Sequence, residues 1–296
     1  MQTSEALIPS ATGGGYLLRL FNVSVDEGVR KFRDHRHIEF EIVLIKSGGG
    51  IYRTKDKEYS IRKGDVFLFA SNEIHCITAI DKGGLELMNI HFEPRFIWSS
   101  GNDLFDADYL RIFYDRSEHF ENRLPRGSAE TQKIGNMLLE MEREFADKKP
   151  EYTLMVKVQL LSILVTMMRG FDYVSAEDKG QARRQSYAAI ERSMDYMMSR
   201  LSEPITLGEL AKVANMSDTY YSAVFSRLNG VSPWDYLTAK RVEKAANMLR
   251  SNEKGLTMLE IAMQCGFNNT ANFNRAFKKY QNRTPSSYRK SEQIIP

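Results

Sequence analysis

"ELAKVANMSDTYYSAVFSRLNGVSPWDYL", Glu209 to Leu237, and "EIAMQCGFNNTANFNRAFKKYQNRTPSSYR", Glu260 to Arg289, are one unit written twice. Glu209-Leu210-Ala211 matches Glu260-Ile261-Ala262 at an offset of 51, whereas Phe225, Pro233 and Tyr236 match Phe277, Pro285 and Tyr288 at 52. The second copy has therefore gained one residue in its connecting turn.

Each copy has the grammar of a helix-turn-helix. A small residue (Ala211, Ala262) lets two helices approach, and a residue tolerant of positive φ (Asn215, Gly266) reverses the chain. An apolar plug follows (Met216, Phe267), and then a capping side chain (Ser217, Asn269) opens the next helix. In that second helix Tyr221 and Phe225, or Phe273 and Phe277, face the core at i, i+4. The opposite face is left for a DNA groove. It carries Asp218, Thr219, Ser222, Ala223, Ser226 and Arg227 in the first copy, and Thr270, Ala271, Asn274, Arg275 and Lys278 in the second. From Pro233 to about Leu249 a helix of roughly 25 Å, at ~1.5 Å per residue, separates the copies and suits successive major-groove segments ~34 Å apart.

Working outward, residues 186–296 hold 15 Lys+Arg against 10 Asp+Glu, and residues 1–185 hold 26 against 28. A basic last third beside a near-neutral remainder points to an anionic partner for the former. A chain of 296 residues, 42% hydrophobic and 27% charged, has material for two cores. No apolar run approaches the ~20 residues of a membrane span and the start lacks a secretory pattern, so the expected location is the cytoplasm, with no membrane partner. Cys76 and Cys265 lie far apart without metal or redox spacing.

From Tyr16 to about Phe96, β-rich runs ("YLLRLFNV", "FEIVLI", "DVFLFA", "LELMNIHF") alternate with turn clusters at Ser47-Gly48-Gly49-Gly50, Lys63-Gly64-Asp65 and Lys82-Gly83-Gly84, which predicts a sandwich or barrel. Residues 97–127 show no period. From Ser128 the period becomes helical (Ile134, Met137, Leu138, Met141) up to Pro150, and a second helix runs to about Arg169. On it Leu154, Val158, Leu161, Val165 and Met168 alternate steps of four and three, a seam for another helix, while Leu160, Ile163, Leu164 and Met167 widen the apolar surface to a second face. One face fits the chain's own β-domain and the other a second subunit. The predicted class is α+β multidomain: a barrel over 1–127, a helical dimerisation segment over 128–171, a linker over 172–186, and an all-α double helix-turn-helix domain over 187–296.

Through "ITLGELAKVANMS", "GVSPWDYLTAKRVEKAANML", "EIAMQCGFNN", "FNRAFKK" and "TPSSYR", the last third resembles the AraC/XylS family of bacterial transcription regulators. The departures are Ala223, where many members carry a long polar side chain, and Asn282 in place of a glycine. The resemblance implies a homodimeric, effector-responsive regulator of double-stranded DNA that works with RNA polymerase. It also implies an N-terminal sensor of cupin type, and "HRHIEFE" followed by "KGDVFLFASNEIH" looks like the two cupin motifs, with Ala70 and Asn72 replacing the usual proline and glycine.

On that resemblance His35, His37, Glu41 and His75 fall on cupin metal positions; 35, 37 and 41 share strand parity, and His91 is a further candidate for the pocket. Three readings follow: a metal-free pocket for an organic effector such as a sugar, a divalent transition metal that helps hold the effector, and a cupin metalloenzyme with an accessory helical domain. The first two make the protein a sensor with no catalytic residues.

Overall fold

The computed structural model describes residues 5–9, 16–26, 34–97, 108–175, 180–250, 255–281 and 283–292, so Asn282 lies outside the described residues. The chain divides into a unit built on Leu17–Arg184 and another built on Gln185–Pro296.

The first unit contains one sheet of six strands: β1 (Glu5–Pro9), β2 (Tyr16–Val25), β3 (Phe40–Thr54), β4 (Glu58–Arg62), β5 (Val66–Phe69) and β6 (His75–Phe92). They pair in the order β1-β2-β6-β3-β4, with β5 also on β3. The predicted turns at Ser47–Gly50 and Lys82–Gly84 are not strand breaks. Both lie inside the two longest strands, which pair antiparallel from Phe40↔Phe92 to Thr54↔His75. The register jumps from Gly48↔Leu85 to Gly50↔Ile80, leaving extra β6 residues as a bulge.

At this bulge the ribbon can bend only because glycines supply the room. Gly48 and Gly50 have φ of 80° and 157°, and a Cβ on either would stand about 2 Å from the carbonyl oxygen of Gly84 or Ala79. Drawn straight, the 18 residues of β6 would span ~60 Å at ~3.3 Å each. Folded over, both ends of β6 reach one side chain, Glu41. Val43, Ile45, Tyr52, Phe67, Phe69, Leu85 and Leu87 fill the enclosed interior, at about 1.5–3 kcal/mol for each fully buried large side chain.

After β6 comes α1 (Pro94–Ile97), and the stretch without period contains a 3-10 turn at Asp108–Leu110 and α2 (Arg111–Tyr114). Its last part covers the outer edge of β5: Leu68 N donates to Asn122 O and Leu124 N to Val66 O. Next come α3 (Ala129–Asp147), capped by Ser128, and α4 (Tyr152–Gly170). Val156, Leu160, Ile163, Leu164 and Met167 of α4 are buried, whereas Leu154 is 58% and Val158 47% exposed. In length and composition α4 would suffice to cross a bilayer, contrary to the expectation that no segment does; one of its faces is fully buried within this unit.

The second unit is helical: α5 (Gly180–Ser199), α6 (Leu207–Val213), α7 (Asp218–Asn229), α8 (Pro233–Arg250), α9 (Met258–Gln264), α10 (Thr270–Gln281) and α11 (Pro285–Glu292). α5 begins at Gly180, inside the linker expected over 172–186. Cys76 and Cys265 are free and buried.

Candidate functional site

Cross-strand register places His91 of β6 directly opposite Glu41 of β3. Glu41 shares inward parity with Val43 and Ile45, and His91 with Leu85 and Leu87, so both point into the core of the barrel. The other end of β6 brings His75, whose Nε2 is 3.0 Å from Glu41 Oε2; His91 Nε2 is 3.1 Å from Oε1. His37 precedes β3 and adds a third imidazole, Nε2 at 3.0 Å from Oε2. Strand parity is thus not what brings the motif together, since 35 and 37 lie before the strand begins. His35 is exposed, forms an isolated bridge with His75 and stands at the rim, its ring centroid 4.3 Å from that of His75.

Two ring orientations are fixed from behind. His37 Nδ1 lies 3.1 Å from Glu39 O and His75 Nδ1 2.9 Å from Glu73 O. With Nδ1–H donating to a carbonyl, each Nε2 faces the carboxylate as a lone pair in the neutral ring and as a second N–H donor in the protonated one. Glu73 is itself held by Asn122 (2.7 Å), Arg116 (3.0 Å) and Ala70 N (2.8 Å), so the stretch 111–124, unplaced by period, braces the loop that carries His75.

Burial alone would push the Glu41 carboxyl up, but the charges of His91 and His75 and the hydrogen bond from His37 hold it well below the ordinary carboxylate range. Burial opposes charge on His37, yet its hydrogen bond to Glu41 and the charge there raise it; His91, buried and beside His37, is lowered. The Nε2 atoms of His75 and His91 approach Glu41 closely without hydrogen-bond alignment. A lone pair facing a carboxylate at this distance needs a proton or a cation between them. Donor atoms of His35, His37 and His75, and likewise of His37, Glu39 and His91, also lie within 4.8 Å of one another. Glu39, 7% exposed, carried no signal beyond its place between two motif positions.

The helix-turn-helix copies repeat down to single hydrogen bonds. Thr206 with Glu209 and Thr257 with Glu260 form identical capping boxes at the start of α6 and α9. Met216 N donates to Ala211 O and Phe267 N to Ala262 O, both at 2.9 Å. Asn215 and Gly266 have φ of 55° and 83°. Ala211 and Ala262 are buried at the helix crossings, and Tyr221, Phe225, Phe273 and Phe277 are fully buried.

On α7, Thr219, Ala223 and Arg227 are exposed and Ser222 is half-buried; on α10, Ala271, Asn274, Arg275 and Lys278 are exposed and Thr270 is half-buried. Arg227, Arg275 and Lys278 make no ion pair among the described residues, whereas Lys279 is held 2.7 Å from Asp235. Tyr220, 54% exposed, lies three and seven positions before Ala223 and Arg227, on the stripe that Ala223 leaves short of side chain. The signal for it was the Tyr220-Tyr221 pair, only one of which can face the core.

Residues 26–164 match the family of the AraC-like ligand binding domain, and residues 210–291 match a helix-turn-helix domain family. The activator RhaS of Pectobacterium carotovorum is 23% identical over 258 residues, 87% of this chain and 88% of its own. RhaR of Klebsiella pneumoniae is 22% identical over 291 residues, 96% and 95%. The solved structure of ToxT from Vibrio cholerae matches with a TM-score of 0.58 at 15% identity, covering 92% of this chain and 97% of that one. The chain is a transcriptional regulator with a ligand-binding domain and a DNA-binding helix-turn-helix domain. It belongs to the AraC family.

Proposed function

We propose that the protein is a dimeric activator that binds a small polar organic effector, of the sugar class, at the His37/Glu41/His75/His91 cluster and reads DNA with α7 and α10. The observation that carries the DNA reading is the pair of matched recognition helices, whose outer faces present Thr219, Tyr220, Ala223 and Arg227, and Asn274, Arg275 and Lys278. As an activator it acts in the cytoplasm, with RNA polymerase as its protein partner. Retention on cognate duplex but not on scrambled duplex at moderate salt supports this reading; equal retention at every salt concentration counts against it.

A divalent first-row ion would take the set expected from the motifs: His35, His37 and His75 have donor nitrogens within 4.8 Å of one another and Glu41 adds a carboxylate, a donor set suited to such metals. Bound there, the ion would supply a Lewis-acidic point for an effector oxygen. Of the groups around Glu41, His37, with 15% of its side chain exposed, is the one an effector meets first. Elemental analysis of protein purified without chelator or affinity tag tests the ion, and a metal-free result at full folding leaves the hydrogen-bonded pocket. The metalloenzyme reading would require metal-dependent turnover.

For assembly, the face of α4 bearing Leu154, Val158, Leu161, Val165 and Met168 is exposed or half-buried, and with Ala129, Glu130 and Lys133 of α3 it borders a groove of about 550 Å³. The seam is nearly symmetric about Leu161. Two copies crossing there antiparallel would set Leu154 near Met168, and Glu151 toward Arg169, of the other copy.

A further inference from the structure

A second cleft, of about 640 Å³, lies in the sensor unit between α3 and the sheet, among residues distinct from the histidine cluster. Its size falls within the roughly 300–1,000 Å³ of small-molecule pockets. Leu44 of β3 and Leu139 of α3 supply apolar surface, Gln132 and Asn136 line it from α3, and the β4–β5 turn brings Arg62 and Lys63.

The charges around it are unequal. Arg126 is committed to Asp65 through Nε–Oδ1 at 2.7 Å and Nη2–Oδ2 at 2.6 Å, which uses the one acid that lines the cleft. Lys46 lies 3.1 Å from both Glu86 and Glu142. Arg62 and Lys63 are exposed and make no ion pair among the described residues. Two uncommitted cations therefore stand beside an apolar surface.

Gly135 supplies an independent observation. It occupies the interior of α3, where glycine is unfavourable relative to alanine. A Cβ there would meet only Leu44 Cδ1, at an ordinary 3.8 Å. Packing within the chain does not demand glycine at this position, and its effect is to keep the cleft open.

We propose that this cleft binds an organic carboxylate with an apolar chain, its head at Arg62 and Lys63 and its chain against Leu44 and Leu139 under Gly135. A ligand there would contact both the sheet and α3, the helix against which α4 packs. Ion pairing of the head group with Arg62 and Lys63 and apolar burial of the chain each contribute, so neither part alone should suffice.

The test uses the full chain and octanoate, followed by calorimetric titration and by methyl NMR shifts of Leu44 and Leu139. Acetate and 1-octanol serve as head-only and chain-only controls. Saturable octanoate binding, at least tenfold weaker in Arg62→Glu/Lys63→Glu and undiminished in His37→Ala/His75→Ala, is the expected result. Gly135→Leu should abolish it with the fold intact by circular dichroism; if that variant unfolds, the exposed charge-reversal pair decides alone. No saturable binding at millimolar octanoate, acetate binding as tightly, or loss in the histidine variant instead would overturn the proposal. The last outcome would place the ligand in the barrel and leave the reading of that site standing.

Discussion

Arg275 and Lys278 lie three positions apart on the exposed face of α10, yet their chemistry separates their roles. The planar arginine fork can bond two acceptors on a guanine edge, whereas lysine is a point charge suited to phosphate. Arg275→Ala should cost about 1–3 kcal/mol on a cognate duplex and relax preference at one base pair. Lys278→Ala should weaken cognate and scrambled duplexes alike and lower the salt slope by about one. Both are read by binding assays at several salt concentrations; equal loss on both duplexes for Arg275→Ala would move base reading to α7. Gly266 makes a stability prediction of the same grain. Its φ is 83° and a Cβ would stand 2.7 Å from Leu201 O and Arg241 Nε. Gly266→Ala should therefore cost about 2 kcal/mol or more in chemical denaturation, while Asn215→Gly, at the exposed equivalent turn, should stay within about 0.5 kcal/mol.

Among the elements, α4 and α8 each serve two sides. One face of α4 is buried in its own unit, and the half-buried Leu161 and Val165 on the other carry the proposed dimer seam. Glutamates at those two positions should yield a folded monomer at micromolar concentration by sedimentation; a persistent dimer would refute the seam. The role of α8 is set by polar straps as well as by length. Arg241 donates to Leu201 O at 2.9 Å and Glu203 O at 2.7 Å, and Lys244 bonds both Ser202 Oγ at 2.8 Å and Gln264 O at 3.0 Å. These bonds tie α8 to the α5–α6 turn and to α9, so the spacing of the recognition helices does not rest on the backbone alone. Lys244→Met keeps most of the side-chain volume and removes the bonds to Ser202 and Gln264. It should weaken binding to a duplex carrying both half-sites more than to either half alone, a difference that fluorescence anisotropy resolves.

At the scale of the whole molecule, the proposed sensing cluster and the proposed DNA-reading faces draw on separate residues, and variants should separate them. His37→Ala with His75→Ala removes two of the three imidazoles that face Glu41 and changes no residue of the second unit. DNA affinity should be retained within about twofold, near 0.4 kcal/mol, and the effector-dependent change in reporter transcription should disappear. A variant pair that still responds normally would exclude the cluster as the sensing site.

The whole chain also divides into what local chemistry wrote and what folding decided. The helix-turn-helix pair was legible because every requirement is local: a small residue at a crossing, a positive-φ turn, a cap, and aromatic residues at i, i+4. The exposed faces of α7 and α10 and the two-sided character of α4 followed from helical period alone. The sensor site was legible only in part. His37, Glu41 and His75 came from motif resemblance, but their convergence depends on long-range pairing that sequence spacing does not encode. Glycine runs were read as turns because positive φ is a local signal, whereas here they bend a ribbon in which Gly48 pairs with Leu85 and Gly50 with Ile80, far along the chain. That bend sets His91 and His75, the two ends of β6, on one carboxylate and leaves His35 at the rim. Period and caps are fixed by neighbours a turn away, and a barrel interior is fixed only when strand register closes.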